Sequence, residues 1–341
     1  MKKNLKDLTL DDLTAILTAE GYPAHRAAQI FQWVNARNIN DISLMTNVPR
    51  SMIEKLRDRY FIGSLILEKR MRSKKDGTEK FLWRLHDDAR VETVLIPGKG
   101  RKTICLSTQV GCKFGCPFCA SGKMGFVRDL TPGEITDQVL SVQELKNIKI
   151  TNVVFMGMGE PLDNYNNLVK AIKIINHRDG IGIGARKITV STCGVVPGIR
   201  KLKNLGIQVE LSVSLHSAID VKRSELVPVN RKYSLSSLLA TCREYYEKTG
   251  RIITFEYTVI KGVNDSNRDV EALVEAARQA NARVNLITCS NVAVDGLDGV
   301  GPEVMESISE RLRKARINVT VRRSRGDDIA AACGQLAAEY R

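Results

Sequence analysis

The sequence predicts an α/β fold whose main body is a largely parallel sheet covered by helices, and three observations predict it. From residue 103 onward, strand-like and helical runs alternate six times, the pattern of a parallel sheet, open or curled into a barrel. Apolar residues make up 43% of the 341, enough for a sizeable core with no long disordered stretch. The first hundred residues have another periodicity, helical at first and then alternating. That change marks a smaller accessory module and a β-hairpin or meander extension ahead of the core.

Residues 1–60 read as three short helices. Thr9 caps the first, Asp11 and Asp12 fall in its first turn, and Gly21 ends it. Ile30, Phe31 and Val34 form one face of the second; Met52, Ile53 and Leu56 form that of the third. Residues 61–100 hold "LILEKRMR", the Asp76–Gly77 turn, "KFLWRLH" and "RVETVLI", a strand, a tight turn and two more strands. The main body occupies 101–341. Its strands are "TICLSTQV", "TNVVFMG", "KITVST", "VELSVSLH", "IITFEYTVI" and "RVNLITCS", with a late "NVTVRR". The clearest helix is "TPGEITDQVLSVQEL": Thr131 as N-cap, Pro132 first, Glu134 three residues after the cap, then Ile135, Val139, Val142 and Leu145 at helical spacing. In such folds the site lies at the C-terminal ends of the strands.

The chain carries 52 Lys and Arg against 38 Asp and Glu, a net charge of +14. That excess favours a polyanionic partner, with nucleic acid ahead of an acidic membrane surface. The opening "MKKNLKDLTLDDL" has no apolar h-region, so no secretory signal is expected. No apolar run approaches the roughly 18 residues of a membrane span. A cytoplasmic protein is expected, and there eight cysteines suit chemistry or metal better than a disulfide framework.

The strongest local signal is "GCKFGCPFCASGKMGF", in which Cys112, Cys116 and Cys119 form C-x3-C-x2-C just after the first core strand. Three thiolates so close together wrap one compact metal centre. Zinc is the rival, but a structural zinc site takes four ligands, usually from C-x2–4-C pairs, and no fourth His or Cys is near in sequence. Three cysteines on a four-iron cube leave one iron open. The spacing, with Phe118 just before the last cysteine, resembles the signature of radical S-adenosylmethionine enzymes. The resemblance implies a partial (β/α)6 barrel and a [4Fe–4S] cluster held by Cys112, Cys116 and Cys119. The open iron would then chelate S-adenosylmethionine, which is cleaved to a 5′-deoxyadenosyl radical. It continues in "MGMGEP", whose Gly159 and Glu160 match the family's contacts to the methionine amino group. It continues again in "STCG" with Ser191 and in "SLH" with Ser214, Leu215 and His216, which match further cofactor contacts. Each is an ordinary feature taken singly; their order, each after a predicted strand, carries the weight.

"VETVLIP" before the cluster and "VTVRRSRGDDIAAACGQLA" at the end extend the match over nearly the whole chain. Together these segments resemble the RlmN/Cfr family of radical S-adenosylmethionine RNA (adenine) methyltransferases, and "RGDDI" and "GEPLDNYNN" look more like the RlmN branch. The resemblance implies methylation of carbon 2 of an adenosine in 23S rRNA and tRNA, with an electron donor such as flavodoxin or ferredoxin. Carbon 2 lies between two electron-withdrawing nitrogens and is not nucleophilic, so polar transfer from a sulfonium fails. By resemblance, Cys333 is methylated first and the radical takes hydrogen from that S-methyl. The carbon radical then adds to the ring as a covalent enzyme–RNA adduct. Glu92 matches the family's proton acceptor. Cys105 matches the resolving cysteine, whose attack on the Cys333 sulfur would leave a transient Cys105–Cys333 disulfide.

One departure stands out: the family's "NLIPFNP", with its cofactor-contacting asparagine, reads "NLITCSNV" here, placing Ser290 at that position and Asn291 beside it. Cys193, Cys242 and Cys289 match no family role. Basic clusters at Lys69, Arg70, Arg72, Lys74 and Lys75, and at Arg322, Arg323 and Arg325, suit RNA phosphates; Arg311, Arg313, Lys314 and Arg316 read as a solvated helix face. Two alternatives stay open at this point. One is Cfr-like methylation at carbon 8; the other is a non-enzymatic iron–sulfur or zinc RNA-binding protein, which leaves the GEP, STCG, SLH and Cys333 positions unexplained.

Overall fold

Thr9 opens α1 (Leu10–Ala19) with a capping box: its hydroxyl accepts from Asp12 N at 3.1 Å and its own N–H donates to the Asp12 carboxylate at 3.0 Å. Helices α2 (His25–Asn35) and α3 (Arg50–Arg59) follow. Ile30, Phe31, Val34, Met52 and Leu56 bury the faces expected of them, in an apolar cluster drawn from residues 5–60 apart from Ile174. The structure, a computed structural model, describes residues 2–289, 297–322 and 324–336.

Among the described residues the main sheet has ten strands. The first four run antiparallel: β1 (Ile66–Arg72), β2 (Glu79–Arg84), β3 (Arg90–Gly98) and β4 (Arg101–Cys105). A separate two-stranded ribbon pairs β5 (Gln109–Gly111) with β6 (Phe126–Asp129). The sheet resumes with β7 (Asn152–Phe155), parallel to β4, and continues through β8 (Ile188–Thr192), β9 (Glu210–Ser214) and β10 (Ile253–Val259). It ends with β11 (Ala282–Thr288) and β12 (Val319–Arg322), all parallel. The order β12-β11-β10-β9-β8-β7-β4-β3-β2-β1 leaves β12 and β1 at opposite edges, a partial barrel extended by an antiparallel meander. The expected strand over 103–110 breaks. Its ladder with β3 and β7 stops at Cys105, and Ser107 turns to donate to Glu92 O at 2.6 Å and to accept from Met158 N at 2.9 Å.

Helix α4 (Pro132–Lys146) carries the predicted capping box, with Glu134 N donating to Thr131 Oγ1 at 3.2 Å and Thr131 N to Glu134 at 2.9 Å. Ile135, Val139 and Val142 are buried, but Leu145 is 44% exposed, so the apolar stripe stops a turn early. The opposite face is buried too, because the N-terminal helices sit on it. Asp137 is 3% exposed, pairs with Lys6 and accepts from Leu65 N at 2.8 Å; Asp7 accepts from Gly133 N at 2.9 Å.

After β12 the chain turns back over the strand ends. Gly326 N donates to Asp76 at 2.9 Å, Lys80 Nζ to Ala330 O at 3.1 Å, and Ala120 N to Gly334 O at 2.7 Å. Gly326 has φ +67°, and a Cβ there would meet Thr78 and Ala331 at 2.9 Å, so this crossing requires glycine. The C-terminal segment thereby ties the meander to the cysteine loop.

Candidate active site

A cavity of about 910 Å³ opens at the C-terminal ends of the parallel strands and under the returning C-terminal segment. The C-x3-C-x2-C loop leaves β5 at its rim, and Cys112, Cys116 and Cys119 all line it. Cys112 N donates to Gly125 O at 3.0 Å and Cys119 N to Cys116 O at 3.0 Å, so the loop folds back on itself and directs three sulfurs inward. Burial, then the neighbouring thiols, push Cys112 up to about 12 and raise Cys116 and Cys119 as well. Three such thiols become thiolates together only when a metal centre supplies positive charge. The donor set fits a cluster with three protein ligands. Among the described residues no three or more His, Cys, Asp or Glu side chains close around one point as a single-ion site requires.

Beside the loop, Gly159 has φ +92° and a Cβ there would meet Gln109 Cβ at 2.4 Å, so only glycine lets this turn pack on the strand end. Glu160 is buried, with Oε1 accepting from Leu162 N at 3.0 Å and Oε2 from Cys193 N at 2.7 Å. Desolvation outweighs these donors and raises its pKa. Ser191 and Ser214, toward the ends of β8 and β9, and His216 line the same cavity; Leu215 is fully buried behind them. His216 adopts φ +55° and its Nδ1 accepts from Thr258 N at 3.1 Å. Burial and the Arg223 charge hold it down to about 3, so it is neutral at any working pH. Phe118 meets its ring edge-on, centroids 4.7 Å apart, which docks the cysteine loop on the end of β9.

Glu92, Cys105 and Cys333 converge from three separate segments. Cys105 stands opposite Val94 in the β3–β4 ladder, so it shares the face that Val94 and Glu92 present, whereas Thr93 points the other way, to Gln138 at 2.8 Å. Glu92 is 1% exposed, not a surface strand residue, and its carboxylate lies 3.0 Å from Lys80 Nζ. Lys80 in turn holds Ala330 O, three residues before Cys333. Cys105 is buried and its thiol is pushed up to about 12, chiefly by desolvation and then by Cys333. Cys333 is exposed and lines the cavity, which Cys105 and Glu92 do not.

Three cavity residues, Cys193, Glu256 and Arg322, and the buried Arg223 beside them escaped sequence reasoning in whole or in part. Cys193 sits inside the flagged "STCG" run, and its thiol lies close enough to Cys112, Cys116 and Glu160 for their charges to raise it. A further cysteine therefore is near the cluster loop, though none is near in sequence. Arg223 is fully buried, with Nη2 donating to Cys193 O at 2.6 Å and Nη1 to Asn230 at 2.9 Å; nothing in its sequence context marks it. Glu256 on β10 is a buried acid inside an otherwise apolar strand run. Arg322, grouped by sequence with surface charges, lines the cavity beside Met156, while Arg323 lies outside the described residues. Ser290 and Asn291 also lie outside the described residues; Cys289 lines the cavity. Arg311 and Arg313 pair with Glu271 and Glu306, as a solvated helix face does.

The Radical SAM superfamily model matches residues 106–277, and the model of the ribosomal RNA large subunit methyltransferase N-terminal domain matches residues 3–62. A relative from Thermotoga neapolitana named probable dual-specificity RNA methyltransferase RlmN is 45% identical over 98% of this chain and 97% of its own. One of the same name from Clostridium novyi is 42% identical over 99% and 98%. The crystal structure of a radical SAM methyltransferase from Sphaerobacter thermophilus superposes with a TM-score of 0.91 at 42% identity, covering 98% of this chain and 99% of that one. The chain belongs to the RlmN family of RNA methyltransferases, enzymes of the radical SAM superfamily that work with a [4Fe–4S] cluster and S-adenosylmethionine.

Proposed function

We propose that the chain methylates carbon 2 of an adenosine in 23S rRNA and in tRNA, using Cys333 as a methyl carrier and passing through a covalent enzyme–RNA adduct. One observation carries this reading: exposed Cys333 lines the cavity of the three cluster cysteines and lies near enough to buried Cys105, 228 residues away in sequence, for its charge to act on that thiol. The dual-specificity name of the relatives supports the two RNA substrates.

In this reading Cys112, Cys116 and Cys119 hold the cluster, and Gly159, Glu160, Ser191, Ser214, Leu215 and His216 hold S-adenosylmethionine. The bound pair supplies the methyl group and, on one-electron reduction by a flavodoxin or ferredoxin, the 5′-deoxyadenosyl radical. Buried Glu160 suits an ammonium group, because a desolvated carboxylate gains most from a cation. Cys333 carries the methyl and then the RNA. Glu92, held beside Lys80, takes the proton lost from carbon 2. Once the adduct has also given up its unpaired electron to the bound iron–sulfur centre, Cys105 would attack the Cys333 sulfur; the electron pair of the carbon–sulfur bond stays on the base-bound methylene, which takes the proton back from Glu92 to become the methyl group, and a Cys105–Cys333 disulfide remains.

Residues 1–60 serve as an RNA-binding accessory module, 61–100 as a β extension and 101–341 as the catalytic core, a division supported by the separate apolar cluster of the first helices. Cytoplasmic RNA fits the site of action. Among the described residues no helix is long and apolar enough to cross a membrane.

The test is mass spectrometry of nucleosides from rRNA and tRNA of a deletion strain complemented with wild type or Cys333→Ala. 2-Methyladenosine is expected with the wild type only. 8-Methyladenosine would move the reading to carbon 8, and full activity of Cys333→Ala would end it.

A further inference from the structure

One buried carboxylate in the barrel has no task in the reaction above. Glu256 lies on β10 between Ser214 of β9 and Asn285 of β11 in the sheet register, and it lines the cavity with Cys333. It is 5% exposed. Asn285 Nδ2 donates to Oε1 at 3.1 Å, whereas Oε2 is buried with no hydrogen-bond partner. Ser212 is its other polar neighbour, and Arg322 and Arg283 are the neighbouring cations. A desolvated acceptor left without a donor is costly. A site that keeps one on its wall is built for a donor that arrives with a ligand. Because two guanidiniums already balance the charge, a neutral N–H or O–H donor fits better than a third cation.

The position narrows the donor. Cys333 and Glu256 both lie near enough to Arg322 to act on its charge, and all three line the cavity, so carboxylate and methyl carrier share one guanidinium neighbour. On adenine, carbon 2 and the 6-amino group lie on one edge with only N1 between them. A base that presents carbon 2 to Cys333 therefore presents its amino group close by. We propose that Glu256 Oε2 accepts a hydrogen bond from the 6-amino group of the target adenine, making Glu256 a specificity-determining residue. The inference rests on the reading that carbon 2 of an adenosine is the target. A carboxylate suits this role because it accepts from an exocyclic amine and repels the carbonyl that guanine and hypoxanthine carry at the same place.

S-Adenosylmethionine also carries an adenosine, so the experiment separates the two sources. Synthetic RNAs with adenosine or purine riboside (the same base without its amino group) at the target are compared in wild type, Glu256→Leu and Glu256→Gln. Wild type is expected to methylate the purine-riboside RNA roughly 10- to 100-fold less efficiently. In Glu256→Leu methylation of the adenosine RNA falls and the two substrates converge to within about threefold, the non-additivity of a broken pair. Glu256→Gln keeps the shape and an acceptor oxygen; it guards against a leucine variant that fails to fold, and its discrimination should fall between the other two. S-Adenosylmethionine affinity, read by equilibrium dialysis on cluster-loaded protein, should not follow the loss. Equal discrimination in wild type and both variants overturns the assignment. So does a loss of S-adenosylmethionine affinity that parallels the loss of methylation, which would give the contact to the cofactor. A wild type that makes no 2-methyladenosine overturns the underlying reading, and is recognised because there is then no discrimination to compare.

Discussion

Release of methylated RNA should be the step that pH controls most steeply. Cys105 is buried and its thiol is pushed up to about 12 by desolvation and by Cys333. At pH 8 about one such thiol in ten thousand is ionised, against about one in four for a free cysteine near 8.5. The stronger nucleophilicity of a high-pKa thiolate recovers part of this, roughly 40-fold for a Brønsted slope near 0.45, leaving attack on Cys333 slower by about 60-fold. When the Cys333 sulfur carries the RNA it is a thioether, so only burial, the larger of the two raising causes, remains. The thiolate fraction, and with it the release rate, should rise close to tenfold per pH unit from about pH 7 to 9, with no plateau. The assay is a single turnover with 5′-labelled RNA, quenched in denaturant and resolved as free and protein-linked RNA, with 5′-deoxyadenosine measured alongside to time the radical step. In Cys105→Ala the linked band should persist. Adduct decay indifferent to pH over this range, or normal release by Cys105→Ala, would refute the reasoning.

Other outcomes follow from the same geometry. Cys116→Ala should lose bound iron, the brown colour and all formation of 5′-deoxyadenosine; a colourless variant that still methylates RNA would exclude the cluster. Lys6→Met leaves the buried Asp137 of α4 without its cation and should cost about 3–5 kcal/mol in urea unfolding. Lys6→Met with Asp137→Leu should recover much of that, and a neutral single variant would mean that the pair does not hold the N-terminal helices. RNA affinity should fall linearly on a log–log salt plot, by about 0.7 to 0.9 per phosphate neutralised. Replacing Lys69 and Arg72 on the exposed edge strand β1 by Ala should flatten the slope by about 1.5, and a slope that does not change removes this strand from the RNA footprint.

What the sequence determined by itself was local or periodic. Thr9 with Asp12 and Thr131 with Glu134 close their capping boxes because the partners are three residues apart, a distance that helix geometry sets without help from the rest of the chain. The parallel strands were legible because burial on both faces leaves continuous apolar runs. The cysteine loop was legible because its three cysteines lie within eight residues. Leu145 and the break after Cys105 were not, since each depends on what packs against the segment. The tertiary structure alone decided which distant groups share the cavity. It brought Cys333 within reach of the charge on Cys105 by returning the C-terminal segment over the strand ends, turned Glu92 inward beside Lys80, and set Cys193 near the cysteine loop. It also took Arg322 out of a basic surface run and set it beside Glu256. The reason is physical: alternation along a strand tells which residues share a face, but only the order of strands and the path of the chain between them determine what that face meets.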